Sequence, residues 1–292
     1  MPPFDHPGDW AAGRHPVKST KTTQWSIRRD NFDHCVGPGG TPALTLDQNR
    51  ILVNAGVVDA RQERADRILD TAKDLLLRWG YRRIRIDEVA KRAGVGKGTV
   101  YLHWRTREQM LSAVGTRETA EMVDAVVAAL RVDSAEVAPH RLMRRIFVEA
   151  MSRPVLRAIY TQDIETVDAL VTDGAQKAMG AANFAGWREY LTIVHEYGLL
   201  GSGLRPEDVH YPLTASVFGF FAAEPMLPGE LGLTLDEKAD QLASTLRRAF
   251  EPARSPARKH LDAAAAKVIA HYERLAEEFR ALTYGGDQDD PK

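Results

Sequence analysis

Between positions 82 and 107 the chain gathers side chains that bind phosphate or read base edges. Arg82, Arg83, Arg85, Lys91, Arg92, Lys97, Arg105 and Arg107 are interleaved there with Thr99, Tyr101 and His103. Guanidinium and ammonium groups hold phosphate oxygens, and hydroxyl, phenol and imidazole groups hydrogen-bond to a nucleic-acid backbone or to bases. The same stretch holds Gly94-Val95-Gly96-Lys97-Gly98-Thr99, which looks like part of a nucleotide-phosphate loop. That loop needs a Gly where Lys91 stands and a Ser or Thr where Gly98 stands, and it needs a strand upstream. The upstream periodicity is helical, so a nucleotide-dependent enzyme is the weaker alternative.

Other chemistries lack their residues. Cys35 is the only cysteine, which excludes a disulfide framework and a Cys-based zinc site within one chain and fits a reducing cytoplasm. His195-Glu196 has Leu199 where a metalloprotease helix needs its second His. No apolar run approaches the roughly 18 residues of a membrane span, and the N-terminus shows no signal-peptide core. The expectation is a cytoplasmic protein without membrane contact, catalytic residues, metal or cofactor.

The elements that carry the basic cluster follow from spacing. Ile86, Val89, Ala90 and Ala93 fall at i, i+3, i+4 and i+7, so a helix buries them together and leaves Asp87, Glu88, Lys91 and Arg92 outside. Gly94 supplies a left-handed stop, and Val95 can plug the angle to the next helix. That helix starts at Lys97 or Gly98 and reaches Trp104, with Val100 and Trp104 inward. A short glycine-bearing turn between two short helices is the layout of a helix-turn-helix. In front stands a longer helix in which Ala65, Ile68, Leu69, Ala72, Leu75, Leu76 and Trp79 keep the 3.6 period up to Gly80. Behind, Thr106 and Gln109 have capping-box spacing, which predicts a fourth helix from about Arg107.

Charge sets this unit apart. Residues 57–115 hold 13 Lys/Arg against 8 Asp/Glu, and residues 1–56 hold 6 against 5; with −1 for the whole chain, residues 116–292 carry −7. A basic module on an acidic body suits a phosphate-tracking domain, because neutralised phosphates release counterions.

From about Arg61 to Val114 the chain resembles the DNA-binding domain of TetR-type bacterial transcriptional regulators. The resemblance rests on Gly80-Tyr81, Asp87-Glu88-Val89-Ala90, Ala93-Gly94-Val95, Lys97 to Tyr101, His103-Trp104 and Arg107-Glu108. It implies that Lys97, Gly98 and Thr99 open a recognition helix, that Tyr101 and His103 meet backbone or bases, and that Leu102 makes apolar contact in the groove. Arg85, Ile86, Asp87 and Arg107 complete the expected DNA-contacting set, with Arg85 and Arg107 on phosphates. Three positions depart from the family pattern. Ile84-Arg85 replaces the usual Thr or Ser cap, Gly96 replaces a Ser, and Trp104 replaces a Phe.

Beyond Gly115 the expected helices run from Thr106 to about Leu130, Pro139 to Met151, Pro154 to Val171, Ala182 to Leu200, Val209 to Ala223, Leu235 to Phe250 and Pro256 to Thr283. The fold class is therefore all-α: a three-helix helix-turn-helix domain (57–115), a larger helical domain (116–255), an additional C-terminal helix (256–284) and a tail (285–292). By resemblance the larger domain senses a ligand and dimerises. The partners implied are a double-stranded DNA operator, a second copy of the chain and a small lipophilic or aromatic effector. Phe147, Met151, Tyr160, Trp187, Tyr190, His195 and Phe218 are the candidate pocket residues, each also a plausible core residue. The function expected is a ligand-responsive repressor acting as a homodimer; an architectural or division-linked DNA binder without a ligand is the alternative. Residues 1–56, rich in Pro and Gly, read as a disordered extension with a hint of order at Leu44–Val53. Two readings of it stay open: a tail upstream of a true start near Val57 or Val58, or a basic arm using Lys18, Lys21, Arg28 and Arg29.

Overall fold

Ten α-helices and two 3-10 turns make up the ordered elements among the described residues, with no strand among them. The structure, a computed structural model, describes residues 46–161, 174–227 and 232–284, with side chains placed in 60–161, 184–227 and 232–284. Numbered in chain order, the helices are α1 (Leu46–Trp79), α2 (Ile86–Ala93), α3 (Lys97–His103), α4 (Arg107–Val132), α5 (Pro139–Ser152) and α6 (Pro154–Tyr160), followed by α7 (Gly174–Glu196), α8 (Pro206–Ala223), α9 (Leu235–Phe250) and α10 (Arg258–Tyr284).

Local chemistry sets the ends. α5, α6 and α8 each begin with a proline, whose missing N–H and fixed φ suit a first helical position. α9 opens on a full capping box, Thr234 and Glu237 satisfying each other's backbone N–H. α7 stops at Glu196 rather than Leu200, because Gly198 turns left-handed at φ 70° and Leu199 N–H reaches back to the Val194 carbonyl at 2.8 Å. α6 ends at Tyr160, and its expected continuation to Val171 lies outside the described residues. α1 begins at Leu46, inside the segment expected to be disordered; no proline follows Pro42 until Pro139, so nothing breaks the helix there. Lys18, Lys21, Arg28 and Arg29 lie outside the described residues.

Two apolar cores divide the fold. The first unites Ile68, Leu69, Ala72 and Leu75 of α1 with Ile84, Val89, Val100 and Trp104, and with Met110, Leu111 and Val114 at the start of α4. This is the head. The second core lies in the body and is built from α4 to α10. α10 is no appendage to it: Ala264, Ala265, Val268, Tyr272, Leu275, Ala276 and Phe279 are all buried there. Its closest partner is α4, along which it packs for most of its length.

Charged pairs join the layers. Arg280 meets Asp124, and Arg117 meets Asp70 at 2.6 Å; such exposed pairs contribute at most about 1 kcal/mol each. Lys73 of α1 to Glu118 of α4 is different, since Glu118 is 2% exposed.

Candidate nucleic-acid interface

α2 places Ile86, Val89 and Ala90 in the head core and turns Asp87, Lys91 and Arg92 outward. Gly94 then adopts φ 68°, ψ 33°, and Val95 N–H bonds the Ala90 carbonyl at 3.0 Å, closing the helix with a left-handed turn. A β-carbon would strain that conformation. The turn follows a helix and not a strand, so it lacks the framework of a phosphate loop. Val95 packs on the head core, as its spacing predicts.

α3 is pinned from inside by Val100 and Trp104. Its outer face carries Lys97, Gly98, Tyr101 and Leu102, with Thr99 and His103 half-buried at the edges. Leu102 is 76% exposed and Tyr101 43%. Lys97 Nζ lies 2.8 Å from the Asp87 carboxylate, and it sits 6.0 Å from the Tyr101 ring centroid. The Asp87 hydrogen bond, more than any other influence, raises the pKa of the Lys97 ammonium and keeps it charged. Asp87, expected at the interface, therefore faces Lys97; its carboxylate would repel a phosphate and instead orients the cation.

Gly98 carries a second message. A β-carbon built there meets nothing within 4 Å, so the packing of this chain does not require a glycine. Glycine in a helix costs about 0.5–1 kcal/mol relative to alanine. A bare spot on the exposed side of α3 leaves room for something outside the protein to approach the backbone.

Arg85 is exposed and stands at the N-cap of α2, where no side chain caps the helix. Two other residues expected at the interface point inward in this structure. Ile86 is only 7% exposed: its place in the i, i+3, i+4 stripe commits its side chain to the core. Arg107 is turned inward, donating to the Tyr81 carbonyl at 2.6 Å with its guanidinium 4.2 Å from the Tyr81 ring centroid. It ties the turn after α1 to the start of α4. Thr106 accepts from Gln109 N–H at 3.0 Å as its spacing predicts, but the Gln109 side chain reaches Arg105 N–H, one residue before the cap.

The His103 imidazole, 5.3 Å from the Trp104 ring, has its pKa lowered first by burial and then by Arg61 and Arg64. Those two arginines extend the basic surface onto α1. Sequence reasoning missed them, although Arg64 directly precedes the buried Ala65 and Arg61 lies one turn before it.

The pocket residues expected in the body scatter. Tyr160 and Trp187 line a cavity of about 60 Å³ with Met122, Ile146, Tyr272 and Leu275. Phe147 lines a larger one, about 520 Å³, bounded by α5, α8 and α9. Met151 is core, and so is Tyr190, whose hydroxyl donates to the Val137 carbonyl at 3.0 Å. His195 is exposed and lines neither cavity, and Phe218 is 51% exposed on α8. Aromatic type and helical spacing do not separate these four surroundings. Phe220, Lys238 and Gln241, which line the larger cavity, were not foreseen.

Residues 68–114, from the last three turns of α1 to the first two of α4, match the family described as bacterial regulatory proteins, tetR family. The head is thus similar to the tetR-family domain over α2, α3 and the flanking turns of α1 and α4. A curated relative, the HTH-type transcriptional activator FasR of Mycolicibacterium smegmatis, is 35% identical over 71 residues, 24% of this chain and 32% of the relative. The chain thus spans about a third of that relative's length. NalD of Pseudomonas aeruginosa, a secondary repressor of the MexAB-OprM efflux pump, covers 66% of this chain and 98% of its own at 17% identity and a TM-score of 0.48. The SmeT–triclosan complex covers 66% and 95% at 18% identity, with a TM-score of 0.47; SmeT is the repressor of a Stenotrophomonas maltophilia efflux pump. The tetR-family match contains the whole of α2 and α3, and with them every exposed residue of the α3 surface.

Proposed function

We propose that this chain is a non-enzymatic, sequence-specific DNA-binding transcription regulator that acts in the cytoplasm as a homodimer and answers to a small effector. The outer face of α3 carries the proposal: Lys97, Tyr101 and Leu102 are exposed around a Gly98 that packing does not explain. In this reading α3 enters the major groove. Leu102 meets a thymine methyl, Tyr101 and Thr99 hydrogen-bond to backbone or base, and Lys97 and Arg85 hold phosphates. Arg61 and Arg64 extend the phosphate track.

The pairing face is assigned to α8, where Tyr211, Ala215 and Phe218 form an exposed stripe of mainly apolar groups at helical spacing. Two copies joined there present two reading helices to successive major grooves. The effector is assigned to the 520 Å³ cavity beside that face, within the size range of small-molecule sites. Phe147, Phe220, Ala215 and Ala223 give it apolar walls, and Lys238 with Glu224 supplies a paired polar edge at 2.8 Å, which suits a lipophilic or aromatic molecule. Occupancy next to α8 and α9 alters the spacing of the two heads. By linkage, the effector weakens DNA binding by the same factor with which DNA weakens effector binding. Repression is the simplest outcome, since a bound dimer excludes polymerase without any further contact.

Gly98→Ala tests the assignment through two effects of opposite sign. Fluorescence anisotropy on a cognate duplex is expected to show affinity falling on the order of tenfold, while thermal melting shows the head stabilised by about 0.5 kcal/mol. Unchanged affinity in the stabilised variant would remove α3 from the groove.

pH gives an independent check. His103 has a lowered pKa in the free protein, and a neighbouring phosphate raises it again. DNA binding then takes up a proton, so affinity rises as pH falls from 7.5 through the ordinary imidazole range. Anisotropy at a series of pH values should show that rise in the wild type and lose it in His103→Asn.

A further inference from the structure

The end of the C-terminal helix sits on the end of the reading helix. Trp104, which caps α3, donates its indole N–H to the Thr283 carbonyl at 3.1 Å, and this bond is buried. Thr283 lies in the last turn of α10, where carbonyls have no partner further along the helix; the indole supplies the missing donor. One residue on, the Tyr284 hydroxyl donates to the Asp66 carboxylate of α1 at 2.5 Å. Asp66 is also faced by Arg117 of α4 at 3.7 Å. The head is therefore gripped by α10 at two places, at the end of α3 and on α1. Neither bond belongs to the connection through α4.

The other end of this grip reaches the body. Tyr272 and Leu275 of α10 line the 60 Å³ cavity together with residues of α4, α5 and α7. From Leu275 to Thr283 is eight residues of unbroken helix, about 12 Å at the α-helical rise. A helix is stiff over two turns, so a displacement at Leu275 arrives at Thr283.

We infer that α10 is a second transmission arm, with Trp104 and Tyr284 as positioning residues that couple the body directly to the orientation of α3. The arm gives the body a hold on the reading helix itself, in addition to the one α4 has on the whole head. Movement of Tyr272 or Leu275 pulls the Thr283 carbonyl from the indole and frees the end of α3. Phenylalanine at position 104 would fill the same aromatic slot and carry no donor, so the coupling is specific to the indole N–H. Burial, with the Asp66 hydrogen bond second, pushes the Tyr284 phenol up to about 12, which keeps it a donor at all physiological pH.

The contact itself is independent of DNA, although its consequence rests on the reading of α3 given above. The test is hydrogen exchange by mass spectrometry on the full chain without DNA, for wild type, Trp104→Phe and Tyr284→Phe. In Trp104→Phe, amides of the last turn of α10 should exchange about tenfold faster, and in Tyr284→Phe those of α3 should do the same, with the body core unchanged. Reciprocal loss of protection across 179 positions of sequence supports the arm. Changes confined to the substituted residue's own helix overturn it. If Trp104→Phe loosens the whole head, Tyr284→Phe decides alone, because it removes one surface-side hydroxyl and leaves the ring. Failure of the wild type to bind any duplex would defeat the DNA reading and leave the exchange result standing.

Discussion

Tyr101→Ala lowers affinity for the cognate duplex by roughly 100-fold, about 2.7 kcal/mol, and leaves the melting temperature within a degree or two of wild type. The ring is exposed and contributes nothing to either core, so truncation spares the fold. It stands one turn beyond Lys97, at the middle of the outer face of α3, where a phenol hydroxyl and a flat ring can both be used. Removing it also takes away the aromatic face beside the Lys97 ammonium. The loss is specific: affinity for unrelated duplex, governed by phosphate contacts, changes far less. Gel-shift titration against cognate and scrambled duplex separates the two terms. An equal loss on both duplexes would make Tyr101 a backbone clamp and shift base readout to Leu102 and Thr99.

Lys73→Met destabilises the protein by about 2–3 kcal/mol, at or just below the roughly 3–5 kcal/mol that loss of one partner of a fully buried pair costs. Glu118 is 2% exposed and Lys73 is its ion-pair partner; the lysine keeps a third of its side chain in water, which tempers the effect. Without the ammonium the carboxylate is buried beside an apolar chain, in the seam between α1 and α4. Thermal denaturation should show a melting temperature lower by about 5–10 °C for a protein of this size. Adding Glu118→Gln should restore most of the loss, since the uncompensated charge is gone. A single variant as stable as wild type would mean that water reaches Glu118 and that the seam is open.

The head was legible in the sequence because its determinants are local. The stripe of Ile68, Leu69, Ala72 and Leu75, the Gly94 stop and the Thr106 cap each act within one or two turns, and periodicity or turn chemistry exposes them. The same logic placed Ile86 in the buried stripe, where it is 7% exposed. The inward turn of Arg107 was not legible, because its direction depends on the Tyr81 carbonyl, which is 26 positions away and is brought close only by the packing of α1 against α4. Arg61 and Arg64 went unnoticed because their proximity to His103 is tertiary.

The body was less legible. Aromatic residues at helical spacing fill cores, line cavities and form pairing faces with the same pattern. Tyr190 in the core, Phe147 at the larger cavity and exposed Phe218 differ only in what stands opposite. The bond from Trp104 to Thr283 had one sequence trace, a tryptophan where the family pattern has phenylalanine, and the trace did not name the acceptor. α10 was readable as a helix; its place in the body core was not, because its alanines record close approach without saying to what.

Selection of bound duplexes from a random-sequence double-stranded library, using the full chain, tests the central claim most directly. Enrichment of a two-fold symmetric site whose half-sites are one helical turn, or a multiple of it, apart is the expected result. The Tyr101→Ala protein is expected to fail to enrich that site. Absence of any enriched sequence with the wild-type protein, or enrichment that survives Tyr101→Ala and Gly98→Ala unchanged, would contradict that claim.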